Sequence, residues 1–191
     1  MFEVEQKFHI EDLEKLENRL AVFFADGIAV EQDVQVHRDT YYNHPCRDFA
    51  STHEALRVRR CNDVPMVTYK GTKLPGKIKA RRELEWRLDP GDHDGSQTEE
   101  LFVLLGFRRV AEVVKTRRSF LFERDLSGFT VTIDDVQSVG LFAEIELVVD
   151  DLNEIEPARD RIGQFAQRLG LHRDEPQSYL RMLLSAGKQQ D

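Results

Sequence analysis

The chain has 191 residues, enough for one domain with a substantial core, and 40% hydrophobic against 32% charged content marks a globular protein richer in charge than most. A net charge of -8 excludes broad, non-specific binding to nucleic acid or anionic membranes, but not a basic cavity inside an acidic exterior. No apolar run nears the roughly 20 residues of a membrane helix, the N-terminus lacks a signal-peptide core, and two cysteines, Cys46 and Cys61, are too few for a disulfide framework, so a cytoplasmic protein with unpaired thiols is expected.

In chain order, residues 2–9 read as a strand. Leu13, Leu16 and Leu20, followed by Phe23 and Phe24, predict an amphipathic helix over about 11–24, ended by Gly27. A long Val-, Thr- and Tyr-rich strand over 30–42 leads into a loop at Asn43–Asp48. Strands follow at about 54–61, 64–71 and 78–88, separated by Asn62-Asp63 and by the Pro75-Gly76 segment. After a polar connector at 89–95, Ser96 and Glu99 predict a capping box opening a helix that Gly106 terminates. Strands are expected at 107–125, broken once, and at 129–136 and 140–150, with Ser127-Gly128 as a hairpin turn. Asp151 and Glu154 cap a helix running to about Leu169, and Gly170 stops it. A short helix over about 177–185 closes the chain. The layout is a single α+β domain over 1–183, dominated by antiparallel strands, with 184–191 as a disordered tail.

Charge recurs at every second position in several of these strands. Residues i and i+2 of a strand share a face. One face therefore collects Glu3, Glu5, Lys7, Arg57, Arg59, Lys70, Arg81, Glu83, Glu85, Arg87, Lys115, Arg117, Asp134, Glu144 and Glu146, eight cations against seven anions. The opposite faces read Phe2-Val4-Phe8, Leu56-Val58, Leu84-Trp86-Leu88, Phe120-Phe122, Val131-Ile133 and Ile145-Leu147-Val149, which helices are expected to cover. If such a sheet closes on itself, its apolar core lies outside the wall and the charges line a channel. A single E-x-E or R-x-R pair is ordinarily a solvated strand face; several pairs of both signs in one domain are not. Buried ions are costly unless paired or ligated. Carboxylates suit Mg²⁺ or Mn²⁺, and Arg and Lys suit phosphate oxygens. A metal-bound triphosphate satisfies both sets. His44, Cys46, His53 and Cys61 match no standard zinc spacing. Neither a glycine-rich phosphate loop nor a nucleophile elbow is present.

Glu3-Val4-Glu5-Gln6-Lys7 resembles the E-x-E-x-K signature of the CYTH superfamily, the triphosphate tunnel metalloenzymes. The resemblance continues in order through Arg57-Val58-Arg59, Tyr69-Lys70-Gly71, Glu83-Leu84-Glu85, Lys115-Thr116-Arg117, Asp134 and Glu144-Ile145-Glu146. It is nearest to the class IV adenylyl cyclase branch, through His44–Ala50, Gly140–Ile145 and Glu175–Tyr179, with thiamine triphosphatase as a relative.

The resemblance implies an eight-stranded antiparallel closed β-tunnel with helices packed outside. It implies that Glu3, Glu5 and Glu144 hold Mg²⁺ or Mn²⁺, with Glu146, Asp134, Glu83 and Glu85 nearby. Lys7, Arg57, Arg59, Lys70, Lys115 and Arg117 would grip the triphosphate, and Glu3, Glu5, Lys7, Arg117 and Glu144 would carry the chemistry. The implied activity is cyclisation of ATP to cyclic AMP and pyrophosphate. The alternatives are hydrolysis of thiamine triphosphate or inorganic triphosphate, and a non-catalytic polyphosphate or nucleotide sensor. The expected partner is a small-molecule triphosphate, not nucleic acid or membrane, and a homodimer is left open.

Overall fold

The computed structural model describes residues 1–187. In chain order its elements are β1 (Phe2–His9), α1 (Leu13–Ala25), β2 (Ala29–Glu31), β3 (Gln35–Asn43), α2 (Phe49–Thr52), β4 (Ala55–Cys61), β5 (Val64–Lys70) and β6 (Lys79–Arg87). These are followed by α3 (Ser96–Leu104), β7 (Arg108–Phe122), β8 (Phe129–Val136), β9 (Gly140–Val149), α4 (Ile155–Leu169) and α5 (Tyr179–Gly187). Strands β7, β3, β4, β5, β6, β1, β9 and β8 pair in that order, and β8 returns to β7, closing a barrel of eight antiparallel strands. Closure leaves no unpaired edge in the ring. No helix among the described residues is long and apolar enough to cross a membrane.

The main apolar core lies between the barrel's outer face and the helices. Val4 and Phe8 of β1, Val131 and Ile133 of β8, and Ile145 and Leu147 of β9 pack with Leu16, Leu20 and Phe23 of α1 and with Ile162, Phe165 and Leu169 of α4. Phe165 meets Phe122 and Phe23 edge-on at 4.9 and 5.8 Å between ring centroids. Burying one such ring contributes about 2–3 kcal/mol. A smaller cluster of Tyr42, Phe49, Leu56, Val58 and Val67, with Phe102 of α3 against it, covers β3–β5. The outer face is not covered throughout: Leu84 and Trp86 of β6 are 41% and 53% exposed. The helices reach the β1–β9–β8 side and the β3–β4 side, and β6 lies between them.

Several boundaries differ from the sequence reading. The expected strand over 30–42 is two pieces, because four steps from Glu31 to Gln35 are matched by three from Phe120 to Arg117 on the partner. Strand β7 continues for 15 residues, with its own bulge at Val110, where one step from Tyr41 to Tyr42 is matched by two from Ala111 to Arg109. Residues 124 and 125, expected at the end of that strand, lie in a 3-10 turn over Arg124–Leu126. Ser96 and Glu99 do not form a capping box. Asp92 instead accepts the Gln97 and Thr98 N–H groups, and Glu99 is drawn away to Arg60 at 3.0 Å. The Asp151–Glu154 box is present, opening a 3-10 turn that continues into α4. Gly170 ends that helix at φ +65, where a Cβ would strike Arg19. Helix α2 follows the expected loop, at residues for which the sequence predicts no element; Asp48 caps it through the Ala50 N–H and the Ser51 hydroxyl. Helix α5 continues to Gly187, so 184–187, assigned to the tail, are helical, and 188–191 lie outside the described residues.

Candidate active site

The barrel interior is a cavity of about 1370 Å³. Glu3, Glu5, Lys7, Arg57, Arg59, Lys70, Glu83, Glu85, Lys115, Arg117, Glu144 and Glu146 all line it, from six different strands. Strand parity therefore placed them correctly. Arg81 joins them, whereas Arg87 does not; it lies on the exposed end of β6, paired with Asp89 at 2.5 Å.

On the β1–β5–β6 wall, the Lys70 ammonium donates to both Glu3 oxygens at 2.8 and 2.6 Å and reaches Glu83 at 2.8 Å. Lys79 bonds Glu5 at 3.2 Å, and Arg81 approaches Glu5 at 3.6 Å. Burial would raise the Glu5 pKa, but Lys79, Lys70 and Arg81 outweigh it and hold the carboxyl low. Glu3 goes the other way: burial pushes it well above the usual carboxylate range, only partly countered by Lys70. Burial raises Glu146 too. It stands directly across from Glu5 in the β1–β9 register and makes no ion pair among the described residues.

On the opposite wall, Arg59 grips Asp39 through two bonds of 2.7 Å, and Arg57 donates to the same carboxylate at 3.1 Å. Those guanidiniums keep Asp39 far below its ordinary value despite burial. Asp134 accepts from Arg117 at 2.6 and 2.5 Å, from Lys115 at 2.9 Å and from the Tyr179 hydroxyl at 2.9 Å. A metal-ligating role is expected for Asp134, but it is fully buried behind the lining and committed to these donors. It acts as an internal counter-ion. Arg117 also bonds Glu144 at 2.6 Å, which ties a cation expected to grip phosphate to a carboxylate expected to hold metal.

Lys7 is different from these. Among the described residues its ammonium has no ion-pair partner; it lies 4.0 Å from the Tyr179 ring centroid and 5.9 Å from that of Phe142. Burial lowers its pKa to about 8. Lys115 is lowered to about 8 by burial and by Arg117 beside it. His37 is pushed down to about 2 by burial and then by Arg59, so its ring is neutral, with a buried Nδ1 that finds no partner among the described residues. Arg81 Nε and Thr132 Oγ1 are similarly unpartnered. A hollow lined by such atoms is built for water or a polar ligand.

Asp39, Lys79 and Tyr179 were missed from sequence. Parity could have found the first two: Gln35, His37, Asp39 and Tyr41 alternate in β3, and Lys79 stands two before Arg81. Tyr179 enters from α5, and no strand period points to it.

Among the described residues no three acidic, histidine or cysteine side chains converge as a formed ligand set. The chemistry of the donors nevertheless fits a hard divalent cation. Glu3, Glu5 and Glu146 supply oxygens at close quarters, two of them held above their usual pKa, and Glu146 makes no ion pair among the described residues.

The CYTH domain profile matches residues 1–179. A protein of Methanocaldococcus jannaschii, named provisionally as an adenylate cyclase, is 32% identical over 184 residues, covering 95% of this chain and 98% of that one. Adenylate cyclase CyaB of Aeromonas hydrophila is 26% identical over 170 residues, 89% of this chain and 81% of that protein. Among solved structures, the PH1819 protein of Pyrococcus horikoshii OT3 superposes with a TM-score of 0.82 at 36% identity, covering 96% of this chain and 98% of that one. With matches of that breadth, and with the E-x-E-x-K strand facing the barrel interior, the chain belongs to the CYTH family.

Proposed function

We propose that this protein is a divalent-metal-dependent enzyme acting on a triphosphate inside the barrel, and that its reaction is the class IV adenylyl cyclase conversion of ATP to cyclic AMP and pyrophosphate. The observation that supports this is the convergence of both charge sets on one cavity, with Glu146 and Lys7 making no ion pair among the described residues. Mg²⁺ or Mn²⁺ is assigned to Glu3, Glu5 and Glu146, with Glu144 beside them; when bound, it would withdraw charge from phosphate oxygens and acidify the attacking hydroxyl. The chain's own cations do the rest. Lys115 and Arg117, fixed by Asp134, and Arg57 and Arg59, fixed by Asp39, present donors at set positions to the phosphates and to departing pyrophosphate. Because those donors are already oriented by buried carboxylates, little reorganisation is needed as negative charge develops.

One observation favours a second reading, hydrolysis of thiamine triphosphate or inorganic triphosphate. With a pKa of about 8 and no ion pair to a carboxylate among the described residues, Lys7 is partly a free amine near neutral pH and can take a proton from water. Incubation with ATP, thiamine triphosphate or tripolyphosphate, with Mg²⁺ or Mn²⁺ and with excess chelator, separates the readings by product. Metal-dependent cyclic AMP and pyrophosphate from ATP are expected. Orthophosphate alone would assign hydrolysis. Release of neither phosphate from any substrate would reduce the protein to a binding module.

A further inference from the structure

The cations of the cavity are unevenly supplied with counter-ions. Through its middle, Arg57 and Arg59 share Asp39, Lys115 and Arg117 share Asp134, and Lys70 holds Glu3 and Glu83. At the mouth where α5 meets the loop between β5 and β6, Lys7, Lys73, Lys79 and Arg181 gather, with Glu5 bonded to Lys79 alone of the four. Lys73, on that loop, lines the cavity and makes no ion pair or side-chain hydrogen bond among the described residues. Burial, then Lys79 and Arg81, lower its pKa, with Arg181 adding to the repulsion. A half-buried ammonium among like charges is a group that an incoming anion stabilises. Among the described residues the opposite mouth gathers no such cluster: Gln35, Met66, Ser119, Thr130 and Val148 line it with Met1 and Glu85, and Arg117 and Arg59, level with Gln35 and Met66, are committed to Asp134 and Asp39.

We propose that Lys73, with Lys7 and Arg181, forms an anion subsite at the α5 mouth that holds the terminal phosphate of the substrate. The group carried by the triphosphate then points to the opposite mouth. This subsite rests on the triphosphate reading above and adds a contact from a loop outside the strand pattern. Its distinguishing property is sensitivity to chain length, because a shorter phosphate held by the paired cations of the middle need not reach Lys73.

Calorimetric titration of wild type, Lys73→Gln and Lys73→Arg with tripolyphosphate and with pyrophosphate, with and without Mg²⁺, tests it. Lys73→Gln should weaken tripolyphosphate about tenfold, the loss of one charged hydrogen bond, while changing pyrophosphate less than about twofold. Lys73→Arg, which keeps the charge, should stay within about threefold of wild type for both ligands. Equal affinity of wild type and Lys73→Gln for tripolyphosphate would overturn the subsite and leave the triphosphate reading intact. An equal loss for both ligands would do the same, because it would be a general charge effect. Failure of wild type to bind tripolyphosphate in either condition would overturn both.

Discussion

Lys7 and Lys115 sit in the same cavity yet solve different electrostatic problems. Lys115 has a carboxylate, Asp134, at 2.9 Å but also Arg117 beside it; Lys7 has aromatic faces and no ion pair among the described residues. Both are held at about 8, so near that pH each is half protonated in the free protein. A phosphate oxygen favours the charged form and raises both values on binding. The sign follows: binding takes up protons at pH 8, and affinity falls as pH rises through and above that value. Calorimetry of tripolyphosphate binding at pH 8, in two buffers of different ionisation enthalpy, reads the uptake directly. Lys7→Met should reduce it by about half a proton relative to wild type. An unchanged uptake in that variant would show that Lys7 does not meet the anion.

At the scale of elements, α5 is less an outer helix than one end of the cavity. A strap carries it there: Glu175 N–H donates to Lys7 C=O at 2.7 Å, His9 N–H donates to Arg173 C=O at 2.9 Å, and the His9 ring meets Glu175 at 3.0 Å. Tyr179, the first residue of α5, then bonds Asp134 and lies over Lys7 and Lys115. The two parts of this contact can be separated. Tyr179→Phe keeps the ring over Lys7 and loses the hydroxyl bond, a cost of about 1 kcal/mol. Tyr179→Ala also empties the ring's place, and about 3 kcal/mol is expected. Urea denaturation measures both. Variants equal in stability to wild type would mean that α5 merely rests on the barrel.

The whole molecule is an acidic protein wrapped around a cavity lined by charges of both signs. Its net charge of -8 is carried outside as well as in, and the interior ion pairs contribute organisation more than stability. Occupancy should therefore stabilise the fold measurably. A ligand at about a hundred times its Kd adds about 2.7 kcal/mol, which for a chain of this length is about 5–10 °C in Tm. Thermal denaturation with tripolyphosphate and Mg²⁺ should show that shift, and sulfate at equal ionic strength should not. Identical shifts from both salts would reduce the effect to general anion exclusion.

The sequence by itself determined the alternation of charge and apolar residues in the strands, and with it which side chains face which way; period two leaves no other choice once the strands exist. It also determined the stop at Gly170 and the Asp151–Glu154 cap, whose signals are local. It could not decide which opposite charges would meet. Arg117 with both Asp134 and Glu144, and Asp39 with two arginines, are set by register between strands distant in the chain. Nor could it decide that Ser96 would lose its capping partner to Arg60, or that Leu84 and Trp86 would stay bare, because each depends on where a helix comes to rest. The division between paired cations in the middle and, among the described residues, the unpaired Lys7 and Lys73 at the α5 mouth is likewise tertiary. Counter-ions are assigned by distance, and only closure of the barrel fixes those distances.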